Sequence, residues 1–468
     1  ALRGCQAIAS ALAANTTLTN ANLLFNKLDL KSAASLAAAV RASRARGVPL
    51  TVCGVDPNTE SVDLPRRGMS SADAIVLAAE LETAPLIRSV DLSHNALGPE
   101  AATALGVALR LSRTLTSLNL QANRLSGAYV TFGEEVGVRD NSGVHVLADS
   151  LSAAGALTSL NLSGNALGEA GARVVAEAAG DALGESGSRL RFLHVGSGGD
   201  ALPVQQLRGK PQSGEAHAAI SLGGRSLDDL DAVVIATLIS TNTRLSTLDL
   251  SGATIGGVGC TALASALCST NCALTSLDLR GPAMLGEAGK KVIGGALLEP
   301  TSARVGNLAC QAFTLGPRTS SLDLPGTDLS DGDFVLLAGV LRHNVSLLSL
   351  DLSHTALNAT SCAALCYALA RNDALRELDV YGNELRDDGA RLLADVLRTN
   401  ETLTALAVGM NQMSGEGVRR VTHALDTNAS LISLSLENND ASSFTEAHAQ
   451  RMLASNSRLT DMKRHLPT

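Results

Sequence analysis

The chain has 468 residues, a formal net charge of −8 and a pI of about 5.6. Phosphate backbones require a basic face, so this acidic balance excludes nucleic acid as the main partner. Hydrophobic residues make up 45% of the chain and aromatic residues only 2%, so any core must be built from Leu, Ala and Val. No run of 18 apolar residues occurs, and we therefore expect no membrane insertion.

The first residues have the pattern of a helix that ends at Asn15. No initiator Met precedes them, and they lack the charged and apolar regions of a signal peptide. We therefore expect the chain to be part of a longer protein or a subunit of a larger complex.

Leucine recurs at a constant interval of 28 residues, at Leu347, Leu375, Leu403, Leu431 and Leu459. A second column keeps the same step and consists of Asn344, Asn372, Asn400, Asn428 and Asn456. The pattern LxxLxLxxNxL is intact from Leu375 to Leu385. A sustained period of this length predicts a solenoid in which one strand–turn–helix unit stacks on the next.

The pattern can be followed along the whole chain, which predicts a single array over residues 1–468 of about 14 units. Consecutive strands are joined by helical crossovers, so the strands must be parallel. The expected strand centres are Leu23, Leu64, Leu92, Leu120, Leu162, Val195, Leu222, Leu250, Leu279, Leu324, Leu352, Val380, Val408 and Leu436. Four insertions interrupt the period, near residues 43–58, 127–140, 200–216 and 300–317.

The asparagine of the motif lies where the chain leaves each strand, at Asn26, Asn95, Asn123, Asn165, Asn383, Asn411 and Asn439. We expect its amide to satisfy backbone groups of adjacent turns. At Thr355 a hydroxyl can take over part of this role. Asn400, at the end of a predicted helix, fits a left-handed C-terminal cap.

Eight cysteines occur in the chain. Cys362 and Cys366 lie four residues apart, as a metal or disulfide pair could, but buried free thiols are the preferred interpretation. No histidine has ligand spacing to either cysteine cluster, so we expect no metal and no cofactor. Free thiols favour a reducing compartment, which predicts a cytoplasmic or ciliary location.

With a 28-residue period and a full helix in each unit, the chain resembles the ribonuclease-inhibitor-like leucine-rich repeat proteins. That group includes NOD-like receptor arrays, Ran GTPase-activating proteins and several ciliary proteins. The resemblance implies an α/β fold, a right-handed solenoid or horseshoe with parallel strands on the concave face and helices on the convex face.

The same resemblance implies a scaffold or recognition subunit that binds a protein partner on the concave face and the insertion loops. The sequence contains no phosphate-binding G-x-x-x-x-G-K-[ST] motif and no nucleophile elbow, so we expect no catalysis. The alternative is a GTPase-activating protein for a small Ran-like GTPase.

Residues between the two strand leucines are predicted to line the concave face, and from the eighth unit onward five of them are carboxylates: Asp249, Asp278, Asp323, Asp351 and Asp379. At a strand spacing of about 4.8 Å they would form a ladder about 20 Å long that attracts a basic partner. The alternative is a structural role, in which each Asp hydrogen-bonds neighbouring turns.

Further candidates are His354, Tyr381 and Met410, which follow the strands, since Tyr and Met are frequent contact residues. In the insertion at 127–140, Tyr129 and Phe132 form a second candidate contact. This loop could equally cover the adjacent surface of the array.

Overall fold

The computed structural model describes residues 2–56, 58–131, 134–180, 189–209, 218–281 and 285–464. The chain divides into two compact units. The first contains Ala1–His217 and Arg225–Asn242, and the second contains Ala218–Gly224 and Thr243–Thr468. In each unit, three-residue strands alternate with helices along the chain.

The first unit contains one sheet, a separate hairpin and a row of helices. Its strands are β1 (Ser61–Asp63), β2 (Ser89–Asp91), β3 (Ser117–Asn119), β4 (Tyr129–Thr131), β5 (Glu134–Val136), β6 (Ser159–Asn161), β7 (Phe192–His194) and β8 (Leu202–Pro203). Its helices are α1 (Leu2–Ala14), α2 (Leu30–Ala45), α3 (Ser71–Leu81), α4 (Pro99–Leu111), α5 (Ser142–Leu151), α6 (Gly168–Gly180), α7 (Val204–Leu207) and α8 (Asp229–Ile239). The sheet order is β1-β2-β3-β6-β7-β8, and β4 pairs only with β5.

The second unit contains two sheets of five strands. Its strands are β9 (Ala219–Ser221), β10 (Thr247–Asp249), β11 (Ser276–Asp278), β12 (Asn307–Ala309), β13 (Thr314–Leu315), β14 (Ser321–Asp323), β15 (Ser349–Asp351), β16 (Glu377–Asp379), β17 (Ala405–Ala407) and β18 (Ser433–Ser435). Its helices are α9 (Gly257–Leu267), α10 (Glu287–Leu298), α11 (Asp331–Leu341), α12 (Ala359–Leu369), α13 (Arg386–Leu397), α14 (Gly415–Ala424) and α15 (Ser443–Arg464). The sheet orders are β13-β12-β11-β10-β9 and β14-β15-β16-β17-β18.

The strands pair in parallel at the interval that the leucines predict. Leu350 lies opposite Leu378, and Leu378 lies opposite Leu406. In β15 the central leucine is buried while its two neighbours are partly exposed, because successive side chains of a strand point to opposite faces. The predicted α/β leucine-rich repeat class is confirmed.

Consecutive helices within each unit pack closely because they are rich in Ala and Gly. At Gly294 of α10, a Cβ atom would lie 2.6 Å from the backbone nitrogen of Leu336 in α11. Only glycine permits this approach, and the two backbones are therefore in direct contact. Among the described helices, none has the length and apolar character that crossing a membrane requires.

From Asn95 onward, each motif asparagine donates to its own turn and to the preceding unit. Nδ2 of Asn383 lies 3.0 Å from the Val380 carbonyl oxygen and 2.8 Å from that of Leu352. The predicted substitution is also confirmed: Thr355 Oγ1 donates to the Leu352 carbonyl at 2.7 Å. Buried carbonyl groups at the strand exits are satisfied in this way.

The second asparagine column makes an equivalent set of bonds at the helix ends. Asn400 Nδ2 donates to the Leu369 carbonyl oxygen at 2.8 Å, and its Oδ1 accepts from Leu403 N at 2.8 Å. The prediction of a left-handed cap at Asn400 is wrong, since Asn400 is not among the residues with positive φ. The amide side chain, rather than the backbone conformation, satisfies the end of the helix.

Three of the predicted insertions contain strands, and within 200–216 β8 pairs antiparallel with β7. Within 300–317, β12 joins the sheet in parallel, with Leu308 opposite Leu277, and β13 folds back antiparallel to it. Within 127–140, β4 and β5 form a hairpin. The count of about 14 units in one array remains a prediction.

In the described part of the chain, three helices begin with a capping box that has Asp at its third position: α3, α8 and α11. In α8 the Asp231 carboxylate is buried and accepts hydrogen bonds from Gly196 N at 3.0 Å and Asp228 N at 3.2 Å. Burial, followed by the nearby Asp228 charge, raises the pKa of Asp231 from 3.8 to about 7. The buried carboxyl group therefore takes up a proton more readily in the folded chain.

Replacing Asn411 by Ala is expected to lower the free energy of unfolding by about 1–3 kcal/mol. The buried Asn411 amide donates to the carbonyl oxygens of Val380, Val408 and Gly409, and all three would lose a partner. Urea titration followed by circular dichroism measures the change. The exposed Glu401→Ala serves as control, and equal midpoints for the two variants would contradict the role of Asn411.

The raised pKa of Asp231 predicts that its contribution to stability is largest below the unfolded pKa of 3.8 and falls as pH rises to about 7. Ionisation in the folded state has to overcome burial, whereas the unfolded chain ionises freely. The wild-type melting temperature should therefore drop relative to that of Asp231→Asn between pH 5 and pH 8. If the melting temperatures of the two proteins changed by the same amount with pH, this prediction would be refuted.

Candidate functional site

The carboxylates that follow the strand leucines cap the backbone at the strand exit. Asp351 Oδ1 accepts from Ser353 N at 2.8 Å, and Asp379 Oδ1 accepts from Tyr381 N at 2.8 Å. Asp249 and Asp278 make the same contact two residues along the chain, at 2.9 Å and 3.0 Å. The geometry therefore supports the structural alternative for these four groups, although each is only half-buried and still meets solvent.

The ladder of five carboxylates is interrupted, so the predicted continuous length is wrong. Asp249 lies opposite Asp278, but the next partner of Asp278 is Ala309 of β12. The carboxylates resume with Asp323 in a separate sheet. The reason is the additional β12–β13 pair, which occupies the end of the sheet where the sequence predicted an insertion.

The first part of the ladder is partly neutralised. Arg280 forms a two-pronged contact with Asp278, with an Nη2–Oδ2 distance of 2.5 Å. Burial raises the pKa of Asp249, but hydrogen bonds from Ser221 and Ser251 outweigh it and hold the pKa below the ordinary value. The negative charge of Asp249 is thus maintained within the fold, while that of Asp278 is paired with a cation.

The second part consists of Asp323, Asp351 and Asp379 on adjacent strands in register. Asp323 is exposed, and its Oδ1 accepts from Ser321 Oγ at 2.8 Å. Beyond Asp379 the equivalent position is Ala407. We call these three carboxylates the acidic row.

Next to the acidic row lies a group of side chains on the turns, which we call the turn cluster: His354, Tyr381, Met410 and Asn438. The rings of His354 and Tyr381 meet edge to face with centroids 5.5 Å apart. Asn438 Nδ2 donates to the Tyr381 hydroxyl at 3.0 Å. The structure therefore brings together His354, Tyr381 and Asn438, which belong to different repeats.

Two glycines lie directly against the rings of the turn cluster and leave no room there for a Cβ atom. A Cβ atom at Gly382 would lie 2.3 Å from the His354 ring, and one at Gly409 would lie 2.8 Å from the Tyr381 ring. Either side chain would displace the ring above it. The sequence alone does not distinguish these two glycines from others, because glycine at a turn usually indicates only backbone conformation.

Three members of the turn cluster have a backbone that favours glycine. The φ angles are 57° at His354, 52° at Met410 and 57° at Asn438. The equivalent residues are glycines in two repeats of this unit, Gly326 with φ 64° and Gly382 with φ 70°, whereas the first unit has Arg66, His94 and Ala122 there. A left-handed conformation costs a non-glycine residue about 1–2 kcal/mol. These exposed side chains are therefore present despite a cost to stability.

The second predicted contact is the hairpin at 127–140. Tyr129 is half-buried, and the guanidinium carbon of Arg124 lies 4.1 Å from the centre of its ring. This contact holds Tyr129 against its own chain, as the covering alternative requires. Phe132 lies outside the described residues.

A groove of about 650 Å³ lies beside the predicted insertion at 43–58. The polar groups beside this groove form hydrogen bonds with other groups of the chain. Glu80 is buried and accepts hydrogen bonds from Val52 N and Cys53 N, and Arg44 donates to the Glu80 carbonyl oxygen. Burial and the Glu80 charge raise the pKa of the Cys53 thiol well above its ordinary value. These contacts hold the segment in place.

Two family models match parts of the chain. The leucine-rich domain of tropomodulins and leiomodins matches residues 353–467, and the leucine-rich repeat matches residues 83–106, 157–176 and 241–264. No curated protein sequence is similar enough to match. The family models and the 28-residue register confirm that the chain is a leucine-rich repeat protein.

Solved structures to which parts of the chain are similar include "Leiomodin-1 Actin-Binding Site 2 (ABS2)". It is 18% identical, covers 32% of this chain and 86% of its own, and has a TM-score of 0.30. The tropomodulin C-terminal domain of Caenorhabditis elegans is 18% identical, covers 31% and 89%, and has a TM-score of 0.29. The yeast Rad7 and Elc1 complex is 13% identical, covers 89% and 86%, and has a TM-score of 0.25.

Replacing Met410 by Gly is expected to leave the free energy of unfolding unchanged or to raise it by up to about 1 kcal/mol, because Gly relieves the left-handed backbone. Met410→Val is expected to lower it by about 1–2 kcal/mol, since a β-branched residue is strained at this φ. Urea titration of both variants provides the measurement. A destabilised Met410→Gly would show instead that the side chain stabilises the fold.

Proposed function

We propose that this leucine-rich repeat protein of the ribonuclease-inhibitor-like type is a scaffold that binds a protein partner. The binding surface consists of the turn cluster and the acidic row of the second unit. The chain performs no catalysis of its own in this proposal. The match of the tropomodulin and leiomodin domain model to residues 353–467 covers the turn cluster and supports this choice.

The observation that carries the proposal is the exposed, pre-arranged turn cluster. The Tyr381 ring is fixed from three sides, by the His354 ring, by the Asn438 amide and by the backbone at Gly409. Met410 is half exposed beside it. Aromatic residues held in one orientation lose little entropy on binding, and such residues dominate the energy of protein interfaces.

The acidic row adds charge to the same surface. Asp379 is attached directly to the turn cluster, because its carboxylate accepts from the backbone of Tyr381. At a strand spacing of about 4.8 Å, neighbouring carboxylates repel by only about 0.8 kcal/mol in water. The row can therefore remain charged, so that it speeds the arrival of a basic partner while the turn cluster supplies the apolar contact.

The cysteines support a reducing compartment for this function. No disulfide joins any of the eight described cysteines, and secreted proteins usually pair theirs. Cys362 and Cys366, which could have formed a pair, are both buried with their sulfur atoms 3.6 Å apart. We therefore propose a cytoplasmic or ciliary location, within a larger complex.

The binding proposal predicts that Asp351→Asn with Asp379→Asn slows association of a partner captured from the native source and flattens its salt dependence. The fold should tolerate the change, because Asn119 and Asn161 make the same bond at the equivalent position, to Gln121 N and Ser163 N. Surface plasmon resonance at two salt concentrations gives the rates. Asp91→Asn is the matched control, since Asp91 caps Ser93 N in the first unit.

A second pair of variants separates the two candidate contacts. Tyr381→Ala with Met410→Gly should accelerate dissociation at least about tenfold if the turn cluster is the contact. Tyr129→Ala should change neither rate. Loss of binding in Tyr129→Ala alone would transfer the contact to the hairpin at 127–140.

The GTPase-activating alternative is tested with the same preparations. A small Ran-like GTPase would hydrolyse GTP faster in the presence of catalytic amounts of the chain. Stimulation of this kind would overturn the scaffold proposal. No acceleration, together with stoichiometric capture of a partner, would support it.

A further inference from the structure

Two histidines and an aspartate meet between the end of α14 and the last helix, α15. His423 lies in the last turn of α14, and Asp426 lies one turn further along the chain. His448 is contributed by α15. Nδ1 of His423 lies 3.1 Å from Asp426 Oδ2, and Nε2 of His448 lies 2.9 Å from Asp426 Oδ1.

The His448 ring has an uncommon environment for an imidazole. Its side chain is 19% exposed, and Nε2 is buried without a well-directed hydrogen bond, although Asp426 is near. The two imidazole rings are tilted, with centroids 5.3 Å apart. A buried polar nitrogen that lacks a directed partner is costly, and a bound ion would satisfy it.

We propose that His423, Asp426 and His448 bind one divalent transition-metal ion, with Zn²⁺ as the preferred ion. Two imidazole nitrogens and one carboxylate oxygen are ligands that suit zinc, and a water molecule can complete a tetrahedral set. Among the described residues, this is the one group of three or more such side chains whose ligand atoms converge, all within 4.8 Å of one another.

The spacing needs only a small adjustment. Zinc bonds of about 2.0–2.2 Å place tetrahedral ligand atoms about 3.3 Å apart. His423 and His448 each approach Asp426 at about this separation, but they approach different oxygens of its carboxylate, at 3.1 Å and 2.9 Å. Binding of one ion therefore requires the exposed His423 side chain to turn toward the other two ligands.

The ion would connect α14 to α15. Because the ligands belong to two helices, a metal that binds only the folded chain stabilises the packing of α15 against α14. Sequence spacing does not reveal this site, since His423 and His448 are far apart along the chain. The prediction that the chain binds no metal was based on the absence of histidines at ligand spacing to the cysteines. The cysteines are not ligands of the proposed site.

The test uses the full-length chain without a histidine tag. Isothermal titration with ZnCl₂ should give one ion per chain, and Co²⁺ should produce the visible absorption of a tetrahedral site. His448→Gln and Asp426→Asn should each weaken Zn²⁺ binding at least about tenfold. The matched control is His145→Gln, which changes an exposed histidine on α5 and should bind as the wild type does.

Thermal melting adds a second measurement. Zn²⁺ should raise the melting temperature of the wild-type chain and of His145→Gln but not of His448→Gln. Should His448→Gln lose helix content, His423→Gln at the more exposed ligand replaces it in the same comparison. Binding that survives both histidine substitutions, or no Zn²⁺ binding by the wild type, would overturn the proposal.

Discussion

The structure depends on amide hydrogen bonds that extend from one repeat to the next. Asn383 and Asn411 each donate to their own turn and to a carbonyl of the preceding repeat. Asn400 and Asn428 likewise donate to a carbonyl of the preceding repeat, at the opposite end of the strands. Because each amide has partners in two repeats, it fixes their separation and their register together. Packing of the leucine side chains alone specifies neither the separation nor the register of the repeats, because equivalent leucines of different repeats can occupy the same position in the core.

These hydrogen bonds fix the backbone where the strands end. The turns that follow therefore contain positions whose side chains do not have to pack in the core. After most of the parallel strands one residue adopts a left-handed backbone, and its side chain faces away from the core. Glycine is the residue of lowest cost there, as at Gly326 and Gly382. At His354 and Met410 the chain carries large side chains instead. Arg66 and His94 adopt the same backbone in the first unit, so the strain alone does not identify a contact surface. In the binding proposal, the exposed side chains of His354 and Met410 serve recognition.

Much of the fold could be predicted from the sequence, because each intact copy of a repeated motif adopts the same local structure. The leucine column predicts the parallel register, and the hydroxyl at Thr355 takes the role expected of it. The prediction failed where the motif is degraded. Leu308 lies in a strand that lacks the Asp and Asn of the motif, so its segment resembles an insertion. The interruption of the carboxylate ladder follows from that one missed strand.

The candidate sites were less predictable, since they depend on contacts between repeats. Tyr381 and Met410 could be chosen by residue type, but the support from Gly382, Gly409 and Asn438 required coordinates. The meeting of His423 with His448 depends on how two helices pack, which no local spacing encodes.

The acidic row shows how a structural role and a binding role can occupy one residue. Asn161 makes the same backbone contact as Asp351, which means that the fold needs an oxygen acceptor at this position but not a charge. The hydrogen bond explains why the residue is Asp or Asn. It does not explain why Asp323, Asp351 and Asp379 are all charged on three adjacent strands. Three carboxylates in register carry a small repulsive cost, which attraction of a basic partner offsets in the binding proposal.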